Sequence, residues 1–179
     1  TCALPISISP STLSFTPSTW DTFQDIVITG VDDLIADGNI NYSITLGSLS
    51  GADTAFNGIS LPNVNVSNQD NDIASVIITP TSGLVTSETG GQASFTIHLS
   101  SQPTAMVTIP LSSSNTNEGT LSQASVQFDN ACPGANCWSN PQTITITGVD
   151  DFVADGNTNY TIITGDITSA DSNYGTILG

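Results

Sequence analysis

Thr29-Gly30-Val31-Asp32-Asp33-Leu34-Ile35-Ala36-Asp37-Gly38-Asn39-Ile40-Asn41-Tyr42 returns as Thr147-Gly148-Val149-Asp150-Asp151-Phe152-Val153-Ala154-Asp155-Gly156-Asn157-Thr158-Asn159-Tyr160, 118 positions on. Self-similarity of this length marks an array of like modules, each a unit of supersecondary structure that packs against its own kind. Each copy sets three aspartates between two strand-like runs: Asp32, Asp33 and Asp37 in the first, Asp150, Asp151 and Asp155 in the second. The role of these aspartates is the main functional question posed by the sequence.

Outward from the repeat, composition sets bounds. The 179 residues suffice for one or two cored domains. There is no Lys or Arg against 16 acidic residues, a formal net charge of −16. This argues strongly against nucleic acid as a partner, because its phosphates need basic groups, and against anionic membrane surfaces for the same reason. A chain without internal cations draws its counterions from solution, and acidic loops that converge repel unless a cation sits among them. Disorder does not fit, since 37% of residues are hydrophobic, many of them Val, Ile and Leu in alternation. No apolar run reaches the roughly 18 residues of a membrane span, and no stretch reads as a signal peptide. The opening Thr-Cys-Ala-Leu-Pro reads as the middle of a longer or processed chain.

Strand-like alternation recurs along the chain, with Gly, Asn, Ser and Pro in the gaps, at the spacing of an antiparallel sandwich. The second module, from residue 73, predicts strands A to F at Ser75–Thr79, Gln92–Leu99, Met106–Ser112, Ser125–Phe128, Gln142–Thr147 and Asn159–Thr164. The first module, residues 1–72, aligns with the end of this series. It supplies C (4–8), D (13–15), E (25–29), F (41–46) and a final G (64–67), followed by the polar junction Asn68-Gln-Asp-Asn-Asp72. The chain thus holds about one and a half repeats. The missing strands would come from flanking sequence, from unusual pairing, or from a neighbouring chain by strand donation, since a bare edge and apolar face are otherwise exposed.

Parity then places the loops. With antiparallel neighbours, the A–B, C–D and E–F loops and the exit from G share one end of a module. Asp32, Asp33 and Asp37 therefore fall beside Asp70 and Asp72, and Glu88 of the A–B loop falls beside Asp150, Asp151 and Asp155. Carboxylates, carbonyls and Asn71 are the hard oxygen donors that Ca²⁺ takes in sets of 6 to 8. Without a cation, such carboxylates repel by about 1 kcal/mol per pair even in a water-like dielectric. The alternative is that Asp-Gly and Asp-Asp are turn formers that cap loop backbone.

Other residues carry weaker signals. Cys132 and Cys137 flank a Pro-Gly-Ala-Asn loop between D and E and suit a local disulfide, two thiols alone making a poor zinc site. Cys2 has no evident partner. His98 alternates with Ile97 and Leu99 and is expected on the solvent face. Trp20 and Trp138 occupy equivalent positions and either stack on a ligand such as a sugar or cover the sandwich end. Asn41, Asn65 and Asn159 lie in Asn-x-Ser/Thr sequons, acceptors only in a glycosylating host.

The stretch Ser75-Val-Ile-Ile-Thr-Pro-Thr-Ser-Gly-Leu-Val-Thr-Ser-Glu-Thr-Gly-Gly-Gln-Ala-Ser-Phe-Thr-Ile-His-Leu-Ser-Ser-Gln-Pro103, the Thr-Gly-Val-Asp-Asp…Ala-Asp-Gly-Asn…Tyr core and the closing Asn-Gln-Asp-Asn-Asp resemble the Calx-beta-like repeats of large bacterial surface proteins. The resemblance covers nearly the whole chain. It implies an all-β fold of tandem immunoglobulin-like Greek-key sandwiches, an extracellular location and calcium at the distal loops. Matched residue by residue, it implies ligand roles for Glu88, Asp150 and Asp151 in the second module and Asp32, Asp33, Asp70 and Asp72 in the first. The sequence departs from the pattern in lacking an A–B loop for the first module and post-G acids for the second.

The expected function is structural and non-enzymatic: a calcium-stiffened module of a bacterial adhesin, stalk or filament, partnered by neighbouring copies or repeats. The second reading is an adhesion module that binds a glycan or a protein of a host or matrix. Catalysis is disfavoured, with no Lys or Arg, one His expected at the surface and no Gly-x-Ser-x-Gly nucleophile motif.

Overall fold

A computed structural model describes residues 6–151, 153–154 and 156–179. The described chain is all β, with twelve strands: β1 (Ile6–Ser9), β2 (Val27–Gly30), β3 (Ile40–Ile44), β4 (Val64–Asn68), β5 (Val76–Thr79), β6 (Gln92–Leu99), β7 (Val107–Ser113), β8 (Gly119–Leu121), β9 (Ser125–Phe128), β10 (Gln142–Gly148), β11 (Ile162–Thr164) and β12 (Thr168–Ser169). All pairings between strands are antiparallel. The chain divides into two units, Thr1–Asp33 with Asp37–Asn71, and Leu34–Ala36 with Asp72–Gly179.

The second unit carries a core. One sheet runs β5-β6-β10-β8, and in the other β7 is flanked by β9 on one side and by β11 and β12 on the other. Alternation does the sorting. Phe95, Ile97 and Leu99 of β6, Ile144 and Ile146 of β10, Val107, Ile109 and Leu111 of β7 and Val126 and Phe128 of β9 point inward into one buried cluster. The two sheets thus share a single apolar filling, as a β-sandwich requires. Fully burying each such side chain stabilises by about 1.5–3 kcal/mol. β11 and β12 are two pieces of one strand: Thr164 faces Leu111 and Thr168 faces Thr108, so one extra residue lies on their side, a bulge that re-aims the chain.

The first unit consists of two two-stranded sheets, β1-β2 and β3-β4. It repeats part of the second unit. β1 pairs β2 with Ile6 opposite Gly30, as β8 pairs β10 with Gly119 opposite Gly148. Leu49 N–H donates to Ile59 O (3.2 Å) where Ile167 N–H donates to Ile177 O (3.4 Å), and Ala55 N–H donates to Asp53 Oδ1 where Asn173 N–H donates to Asp171 Oδ1. Yet no described residue of this unit is buried. Phe23 is 99% and Phe56 56% exposed, while Tyr174, at the position matching Phe56, is 1% exposed.

Three expectations are corrected. The first strand is the counterpart of the short β8 and not of strand C, because it ladders onto β2; the predicted lettering had no place for β8. Residues 13–15 form no strand, because their counterpart β9 pairs with β7 and no described residue of the first unit takes the place of β7. Strand F at 159–164 is regular only from Ile162, and its continuation past the bulge, β12, was not foreseen. Strands β6 and β9 have the predicted limits.

Candidate functional site

In the second unit the loop ends gather as parity requires. The A–B turn closes tightly, with Gly90 and Gly91 N–H both donating to Ser87 O. Gly148 N–H then donates to Gly91 O (3.0 Å), and Val149 N–H donates to Glu118 O (3.0 Å). The A–B, C–D and E–F loops are thereby tied at one end. Gly148 is required there: a Cβ at this position would overlap the Ser87 carbonyl. This accounts for the glycine of the Thr-Gly-Val-Asp-Asp motif through close backbone approach.

Among the described residues, four acids of the second unit, Glu88, Glu118, Asp150 and Asp151, belong to these three loops. Glu118 was missed in the sequence, although the C–D loop was assigned to the same end; no repeated motif singles it out. Asp151 Oδ1 accepts Val153 N–H (2.9 Å), a local turn cap. Asp155 lies outside the described residues.

In the first unit Val31, Gly38 and Asn39 meet the end of β4 and the residues after it. Gly38 N–H donates to Asp70 Oδ2 (2.7 Å), Asp70 N–H donates to Asn39 Oδ1 (3.0 Å), and Asn68 Nδ2 donates to Val31 O (3.4 Å). The expected juxtaposition of Asp37 with Asp70 is present, the charge of Asp70 acting on Asp37. Asp37 is exposed, and slight desolvation by its neighbours raises its pKa above the ordinary value, with the negative charges of Asp33 and Asp70 raising it further. Asp32 is exposed. Asp72 opens the second unit.

These carboxylates and their Asn neighbours are a hard-oxygen donor set, the chemistry that Ca²⁺ selects. Among the described residues, however, no three His, Cys, Asp or Glu side chains are grouped so as to hold a metal ion. Asp33 and Asp70 therefore act on Asp37 through charge, with the three groups short of a ligand cage. Asp70 and Asp151 also serve as backbone caps, the role that the turn-forming alternative assigns them.

Cys132 and Cys137 are joined by a disulfide, with Cα atoms 5.1 Å apart, in the loop between β9 and β10. Cys2 lies outside the described residues. Trp138 is half-buried against the core, its backbone pairing with Leu99 and Asp129, whereas Trp20 is 71% exposed in a turn. His98 is half-buried, with Nδ1 shielded from solvent, and is thus less open than expected for the outer face of β6.

No protein-family model, no curated protein and no solved structure matches the chain.

Proposed function

We propose that the chain is a non-enzymatic structural repeat module, of immunoglobulin-like Greek-key type and Calx-beta-like, from an extracellular bacterial adhesin, stalk or filament. The observation that carries this reading is the repetition itself. Equivalent segments of the two units close matching strand pairings and the same turn hydrogen bonds. Repetition with register retained is the mark of a quasi-one-dimensional array, in which each unit packs only on its neighbours.

Calcium is the proposed stiffener. A cation drawn to Asp33, Asp37 and Asp70, or to Glu88, Glu118, Asp150 and Asp151, would replace repulsion by bridging and hold the loop ends against each other. The partners are further copies or repeats of the same module. The test is thermal melting and small-angle scattering in calcium and in chelator. Calcium is expected to raise Tm and lengthen the persistent dimension, and identical curves in both media would overturn the calcium role. Adhesion to a glycan or a protein is the second reading, favoured by the 71% exposure of Trp20 and tested by titrating glycans against Trp fluorescence.

A further inference from the structure

The second unit contains an open groove of about 990 Å³ between the segment Ile78–Thr89 and the segment Gly156–Thr164. Its apolar lining comes from Ile78, Leu84, Phe95, Ile146, Tyr160 and Ile162. One of its banks is the edge of residues 158–162. The other side of this segment faces β7: Thr161 N–H donates to Ser114 Oγ, Ser114 N–H donates to Thr161 O, and Ile162 lies opposite Ser113. By alternation, the polar backbone groups of Tyr160 and Ile162 point to the groove. Among the described residues no strand pairs with that edge.

The repeat identifies what fits. Residues 158–162, Thr-Asn-Tyr-Thr-Ile, correspond to β3, Ile-Asn-Tyr-Ser-Ile. In the first unit β3 pairs with β4 across five residue pairs, Tyr42 opposite Val66 and Ile44 opposite Val64. Opposed residues of an antiparallel pair share a face. A β4 strand laid on residues 158–162 in the same register would put its two valines on the face of Tyr160 and Ile162, both of which pack against the core. Its Asn65 and Ser67 would face away.

We propose that this groove receives β4 of a second copy as an added strand, a deeper form of the structural-module reading, on which it rests. In its own unit β4 belongs to a two-stranded sheet with no buried residue, an arrangement that is marginal in water. Transfer exchanges one ladder of main-chain hydrogen bonds for an equivalent ladder and adds an apolar floor. The contact joins different surfaces on the two copies, so it propagates unless its rotation closes a ring.

Two variants and their mixture test this by sedimentation. Val66→Pro breaks the donor and Ile162→Pro breaks the acceptor edge. The unmodified chain is expected to grow beyond dimers as its concentration rises, each variant alone to stay monomeric, and the mixture to stop at a 1:1 dimer. A fluorescent peptide of residues 61–70 is expected to bind the Val66→Pro chain and to lose at least tenfold in affinity for the Ile162→Pro chain. Should Ile162→Pro lose its near-UV dichroism, Leu84→Asp blocks the groove floor instead. Monomeric behaviour throughout, with no peptide bound, would overturn the proposal. Peptide binding without association of copies would also overturn it, by assigning the groove to a strand of the same chain. A calcium-independent Tm alongside normal association would instead overturn the calcium reading and leave strand exchange standing.

Discussion

The Tyr174 hydroxyl donates to the Ser101 carbonyl oxygen at 2.7 Å, and the Ser101 backbone N–H points back at the same hydroxyl at 3.1 Å. Both residues are buried, Ser101 at 0% and Tyr174 at 1% exposure. The hydroxyl thus pins the turn after β12 to the turn after β6. Tyr174→Phe leaves the Ser101 groups buried without this partner, at a cost of about 1–3 kcal/mol. The expected result is a Tm lower by roughly 5 °C or more. The reciprocal change Phe56→Tyr, at the exposed matching position, should leave Tm unchanged.

Asp171 contributes to the acid limb of stability. Burial pushes its pKa up, but the backbone N–H groups of Thr104, Asn173 and Tyr174 outweigh this and hold it below the ordinary carboxylate value. A depressed folded pKa contributes stability that is fully present above the unfolded value, about 3.9, and is lost as pH falls through the folded one. Denaturant melts from pH 6 down to 2 should therefore show stability falling below about pH 4, and Asp171→Asn should flatten that limb.

Asp37 has the opposite sign. Its raised pKa means that the folded state holds the proton more tightly, so its contribution favours folding at low pH and fades as pH rises through the folded pKa. Asp33→Asn and Asp70→Asn each remove a neighbouring charge and should bring the Asp37 pKa down, measurable by carboxyl NMR titration. Under the proposed role, the same substitutions should weaken the calcium-induced rise in Tm.

Gly148→Ala tests the joint between the loops. The added Cβ meets the Ser87 carbonyl, and the backbone of either loop must move. A loss of about 1–3 kcal/mol is expected, with the Gly148–Gly91 hydrogen bond lost from amide exchange protection.

Much of the second unit was legible because its strands follow a simple rule. Gln92–Leu99 and Ser125–Phe128 alternate cleanly, and turn residues bound them. β8 and β12, at three and two residues, are too short for a periodic signal. The bulge before Thr168 breaks the alternation that an F strand would show. In the first unit, residues 13–15 alternate as well as any strand, but alternation describes a surface waiting for a partner and does not supply one. For the candidate site, parity placed Asp70 beside Asp37 and brought the A–B, C–D and E–F loop backbones to one end, since it depends on strand direction alone. Glu118 escaped because it belongs to no repeated motif. How closely the carboxylates approach depends on loop backbone conformation, which sequence spacing leaves undetermined.

The absence of buried residues from the described first unit has a calorimetric consequence. The heat-capacity step of unfolding scales with the apolar surface newly wetted, about 12–15 cal/mol/K per residue of an ordinary folded domain. A single chain in dilute solution should therefore show a step near 1.5 kcal/mol/K, that of a domain the size of the second unit, rather than the roughly 2.5 kcal/mol/K of a fully cored chain of this length. Any excess that emerges on concentrating the sample would measure the hydrocarbon that one molecule shelters for another.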